Sequence, residues 1–186
     1  ALIYYDEWAV ASSSFRRAKG DSMHHTTNQE AIEKLRQLIH DIDIAMLTTV
    51  DDDGTLRSRP MGTQRAEFDG DLWFLTRVDT AKVDEIQRER QVNVSYAKPD
   101  KNRYVSVSGT AVLIDDKAKI DEFWDPIYKA FFPEGKDDPR LRLLKVQVTK
   151  AEYWTTDNLI ATVIGFARAL AGQESELGEN EKLQLG

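Results

Sequence analysis

Apolar residues change their spacing along this chain, and each change marks an element. Ile32, Leu35, Ile39 and Ile42 recur at helical spacing, which lays one apolar stripe along a helix. Just ahead, Thr27-Asn28-Gln29-Glu30 has the form of a capping box, in which the threonine side chain and the glutamate carboxylate each satisfy an open backbone N–H. From Ile44 to Val50 β-branched residues are frequent, and the run stops at Asp51-Asp52-Asp53-Gly54, a strong turn signal. Thr55 to Phe68 reads as a long strand disturbed by Pro60 and Gly62. Asp69-Gly70 reads as a hairpin turn and Leu72 to Thr76 as the returning strand. Thr80 is placed to cap a short helix through Arg90, with Val83 and Ile86 inward. Val92, Val94 and Tyr96 alternate as in a half-buried strand, Lys98-Pro99-Asp100 turns the chain, and Arg103 to Ile114 is another strand. Ile120, Phe123, Trp124, Ile127, Tyr128 and Phe131 fall on one face of an expected amphipathic helix that Phe132-Pro133-Glu134-Gly135 breaks. Leu141 to Trp154 supplies the last strand, and Asp157 is placed to cap a final apolar helix.

Consecutive strands joined by tight turns argue for an antiparallel sheet, and four to six twisted strands tend to curl toward closure. The expectation is one α+β domain with a β-barrel core over residues 27–171. Residues 1–26 would form a poorly ordered extension and residues 172–186 a frayed acidic tail. Clear patterning begins only after Met23, which marks that residue as a candidate natural start.

Composition narrows the function. The 186 residues are 41% hydrophobic and 31% charged, ordinary for a globular protein. The net charge of −7 makes nucleic acid and anionic membrane poor partners. Cysteine is absent, which removes disulfides and thiol catalysis and fits a reducing, cytoplasmic setting. No apolar run approaches the roughly 18 residues a membrane span needs, and residues 1–21 lack a convincing signal-peptide pattern. His24-His25 and His40 do not make a metal site or a catalytic triad, and Asp51-Asp52-Asp53-Gly54 lacks the alternating ligands of a calcium loop. No metal is expected.

The chemistry concentrates in Leu56-Arg57-Ser58-Arg59-Pro60-Met61-Gly62, Leu72-Trp73-Phe74-Leu75-Thr76 and Thr80-Ala81-Lys82. Side chains alternate along a strand, so Arg57 and Arg59 share a face. Two guanidiniums there repel each other unless an anion or a carboxylate lies between them. Guanidinium forks match phosphate oxygens, and the start of a helix adds N–H groups and a positive dipole end. Arg59, Thr76, Thr80 and Lys82 therefore suit a phosphate pocket without a P-loop. The same residues read alone also fit a solvated strand face.

From about Ile44 to Trp154 the chain resembles the pyridoxamine 5′-phosphate oxidase-like, FMN-binding split barrels, and within them the bacterial general stress protein 26 group. The matching residues are Ser58-Arg59-Pro60-Met61, Asp69 to Phe74 with Thr76, Lys82 with Ile86, Tyr104 to Gly109, Phe132 to Gly135 with Asp138-Pro139, and Glu152-Tyr153-Trp154. The resemblance implies an α+β fold with an antiparallel split β-barrel, holding FMN at a homodimer interface. The main chain of Arg59, Pro60, Met61, Gly62 and Thr63 would run along the flavin, with Arg59 reaching the phosphate. Leu75 and Thr76 would line the phosphate and ribityl region, and Lys82 would complete the anion site. Tyr104 would approach the flavin from the partner subunit, and Trp154 would lie near the isoalloxazine ring; core packing is an equal alternative for Trp154. A pocket of this size favours FMN over FAD.

Departures from the oxidase pattern limit what carries over. Ala81 stands where the oxidases usually carry a basic residue, Gln64 lies near a usual lysine, and Thr155-Thr156-Asp157-Asn158 replaces an Arg-x-His arrangement that grasps substrate phosphate. Pyridoxamine 5′-phosphate oxidase activity is therefore not expected. The expected function is a flavoprotein with redox activity on an unidentified small molecule. The alternatives are a non-catalytic flavin-binding or buffering dimer, and a reductase or oxidase acting on a bulky cofactor such as deazaflavin or haem. No side chain stands out as general acid or base. The face formed by Leu159, Val163, Phe166 and Leu170 is a candidate dimer contact.

Overall fold

The computed structural model describes residues 28–64, 68–155 and 179–185. The elements are α1 (Asn28–Ile39), β1 (Ile44–Val50), β2 (Leu56–Gly62), β3 (Asp71–Arg77), α2 (Ala81–Arg88), β4 (Gln91–Lys98), β5 (Arg103–Ile114), α3 (Lys117–Phe123), β6 (Leu141–Thr155) and β7 (Glu179–Gln184). Among the described residues all the strand pairings are antiparallel, in the order β2-β1-β4-β5-β6-β3. β6 is long enough to carry β3 beside its first half and β7 beside its second.

Alternation builds the interior. Ala45, Leu47 and Thr49 of β1 face inward with Met61 of β2, and Val92, Val94 and Tyr96 of β4 continue the layer. Leu35, Leu38 and Ile39 of α1 close over the same core. A smaller cluster lies beneath α3, where Ile120, Phe123, Phe132, Leu141 and Leu143 pack with Trp73, Leu75 and Trp124. The sheet bends where the β5–β6 register shifts between Ser108 and Gly109. A Cβ on Gly109 would lie 2.3 Å from the Gln147 carbonyl oxygen, so the two strands pass too closely for any side chain.

Three expectations need correction. Asp69-Gly70 does not join a hairpin: β2 pairs with β1, whereas β3 pairs with β6 at the other end of the sheet. Thr63 diverts the chain, its N–H donating to the Asp43 carbonyl and its hydroxyl to the Ile42 carbonyl. The amphipathic helix stops at Phe123, because Asp125 accepts a hydrogen bond from the Ile127 N–H and Pro126 opens a separate 3-10 turn. Ile127 and Phe131 are consequently exposed, and Phe132 takes the buried position. Residues 179–184 of the expected tail form β7, since Leu183 and Leu185 bury their side chains and the Tyr153 hydroxyl donates to Glu181. The extension 1–26, the Thr27 cap, His24-His25, residues 156–178 with the helix expected from Asp157, and the candidate dimer face on it lie outside the described residues.

Candidate functional site

β2 and β3 stand at opposite ends of the strand order and share no ladder; α2 follows β3 in the chain and brings Glu85 to Arg59 of β2. The helix forms because Val83 and Ile86, three residues apart, bury on one face. That same docking carries Glu85 inward until it is 1% exposed. A buried carboxylate needs partners, and it has them. Arg59 donates to Glu85 Oε2 at 2.7 Å and to Thr49 Oγ1 at 2.6 Å. The Thr49 hydroxyl itself donates to Glu85. Arg57 reaches Glu85 Oε1 at 3.4 Å and Asp51 Oδ2 at 2.9 Å. Arg57 and Arg59 do share the inward face, opposite Thr49 and Leu47 of β1.

Lys82 lies one helical turn before Glu85 and is half-buried. Its pKa is depressed by burial first and by the Arg59 guanidinium next; the charges of Glu85, Arg77 and Asp79 also act on it. β2, the end of β3 and α2 therefore converge on this ammonium. Among the described residues no carboxylate pairs with it. On β3, the Thr76 hydroxyl is buried without a hydrogen-bond partner. A buried orphan hydroxyl costs about 1–3 kcal/mol, and a phosphate oxygen would satisfy it. Two neighbouring, partly buried cations, Arg59 and Lys82, fit the phosphate end of a mononucleotide, and Thr76 is the orphan hydroxyl on the strand that leads into α2.

The other candidate residues divide between faces. Thr80 sits at the N-cap of α2 but gives its hydroxyl to the Arg77 carbonyl, 2.8 Å away, so it does not cap the helix. Leu75 points away from Thr76 into the cluster under α3, as strand alternation requires. Met61 is a core side chain. Pro60 lies on the outer face, and a Cβ on Gly62 would meet nothing within 4 Å. Among the described residues β2 pairs with β1 alone, along one main-chain edge. Tyr104 and Trp154 are directly opposed across β5 and β6, and both are about half exposed. They form an outward aromatic pair apart from the Arg59 cluster.

A separate cleft is lined by Arg36, His40, Asp43, Thr63, Gln64, Asp71 and Trp73. Arg59, Thr76 and Lys82 do not line it. Asp51 to Gly54 is the β1–β2 turn, with Asp53 accepting from Thr55 and Asp51 from Arg57. Glu85 and Thr49 were not among the expected site residues. The available signal was the Arg57/Arg59 repeat, which demands a counter-charge from another element.

A curled antiparallel half-barrel with flanking helices is the split-barrel architecture. Residues 30–176 match the family described as pyridoxamine 5′-phosphate oxidase like, and the chain belongs to that family. Protein bli-3 of Neurospora crassa is 28% identical over 152 residues, which are 76% of this chain and 73% of that protein. The general stress FMN/FAD binding protein of Xanthomonas citri is 28% identical, with a TM-score of 0.59 over 70% of this chain and 92% of that one. A Clostridium acetobutylicum protein related to general stress protein 26 of Bacillus subtilis superposes with a TM-score of 0.62 at 17% identity. That match covers 86% of this chain and 96% of that one, and it speaks for the fold alone.

Proposed function

We propose that this protein binds FMN through its phosphate and acts as a flavin-dependent redox protein of the general stress type. The observation that carries the reading is Lys82, half-buried beside Arg59 and depressed in pKa by both circumstances. A dianion placed between these groups relieves the repulsion and replaces the water that burial removed. Thr76 would add its orphan hydroxyl. Thr80, next to Lys82, has oxygen lone pairs left for the same anion.

The flavin ring would follow the main chain from Arg59 to Thr63. Tyr104 and Trp154, opposed across β5 and β6, stand as an exposed aromatic wall. A homodimer that brings this wall to the partner's β2 completes the site, so the active unit is the dimer. FMN, when bound, supplies hydride or electron transfer. The chain's own groups hold the phosphate and orient the ring. The X. citri relative is described as binding FMN or FAD; a cradle for one terminal phosphate favours the mononucleotide.

Absorbance of the purified protein, followed by mass identification of any released chromophore, tests the reading. FMN at one per subunit is expected. A colourless protein that takes up no added FMN overturns it. Reduction of bound flavin by NADH or NADPH separates a turning-over enzyme from a flavin-buffering dimer.

A further inference from the structure

We infer that Glu85 is the positioning residue of the anion site: from inside the core it holds the Arg59 guanidinium in the orientation that receives phosphate. The inference rests on the cradle of Arg59 and Lys82 being an anion site. Glu85 belongs to α2, Arg59 to β2 and Thr49 to β1, so their contacts tie three elements at one point. Arg59 is only partly exposed, and its contacts to Thr49 and Glu85 leave other N–H groups of the fork for a ligand. Thr49 closes the arrangement by accepting from Arg59 and donating to Glu85. Without the carboxylate, one contact remains to Arg59, and its long side chain regains rotamer freedom. The carboxylate also offsets one of the cradle's positive charges, which keeps Arg59 and Lys82 close before any ligand arrives.

A counter-ion needed only for folding and a positioning residue predict different ligand profiles. FMN and riboflavin share the ring and ribityl chain, and only FMN carries the phosphate. Glu85→Ala should weaken FMN binding at least about tenfold, the loss of one charge-assisted contact, while riboflavin binding is unchanged. Glu85→Gln keeps an oxygen that accepts from Arg59 and Thr49, so it should restore FMN affinity to the wild-type value or better. Unchanged FMN affinity in Glu85→Ala overturns the inference, and so does a parallel loss of FMN and riboflavin. If Glu85→Ala does not fold, Glu85→Asp, which withdraws the carboxylate by one methylene, is measured with the same expected split.

Thermal stabilisation by inorganic phosphate distinguishes this failure from that of the flavin reading. If the wild-type protein takes up no flavin, yet phosphate stabilises it and not Glu85→Ala, Glu85 keeps its role and the flavin reading falls. If the wild-type protein takes up no flavin and phosphate stabilises neither protein, both readings fall.

Discussion

Replacing Lys82 with methionine should make the protein more stable and a worse flavin binder at the same time. In the ligand-free chain the charged ammonium is disfavoured by burial and by Arg59. Folding thus lowers the pKa from 10.5, and the resulting handicap is full below the depressed value and gone above 10.5. Methionine keeps most of the aliphatic stem and removes the charge. Lys82→Met should therefore melt higher than wild type at neutral pH, with the gap closing as pH rises through that window. Binding moves the other way. One charge-assisted hydrogen bond to phosphate contributes about 1.5–3 kcal/mol, or about 10- to 150-fold in affinity. Fluorescence titration with FMN should show that loss, and titration with riboflavin should show none. Wild-type FMN affinity should fall on the alkaline side once Lys82 loses its proton, and below about pH 6, where the phosphate gains one. A variant that binds FMN within about threefold of wild type, a difference under about 0.7 kcal/mol, refutes the assignment of Lys82. So does one that melts lower than wild type across neutral pH.

Other parts of the structure make separate predictions. Gly109→Ala places a Cβ against the Gln147 carbonyl and should destabilise the fold by about 2–3 kcal/mol, read as a melting temperature lower by about 4–12 °C. In the proposed dimer Trp154→Ala should weaken self-association in analytical ultracentrifugation, because the exposed part of the indole lies on the face assigned to the partner. Asp41 is held down to about 2, first by its hydrogen bond from Lys101 and further by Arg103 and the Lys101 charge. Its contribution is present above the usual 3.8 and disappears as pH falls through about 2. Asp41→Asn should thus melt lower than wild type at neutral pH, with the difference shrinking through that acid window.

The strands were readable because alternation reports a face directly. Val92, Val94 and Tyr96 are buried as their spacing requires, and Ile44 to Val50 ends at the expected acidic turn. Pairing between distant strands was not readable. Nothing local in Leu72 to Thr76 says that its partner is Arg142 to Val146 rather than β2. The break at Asp125-Pro126 was present in the sequence, but the apolar spacing of Ile127 and Phe131 concealed it. The cations of the cradle were found as residue types. Their relation was not, because nothing in the short run Val83-Asp84-Glu85-Ile86 distinguishes the carboxylate that is buried from the one that is exposed. Only docking of α2 on β1 turns that carboxylate inward.

Parallel calorimetric titrations of the wild-type protein with FMN and with riboflavin test the account most directly. Arg59, Lys82 and Thr76 together should make FMN bind at least about 100-fold more tightly, the combined effect of two or more phosphate contacts. That preference should shrink as added salt screens the charges. Equal affinity for the two flavins, or no heat of binding with either, would contradict it.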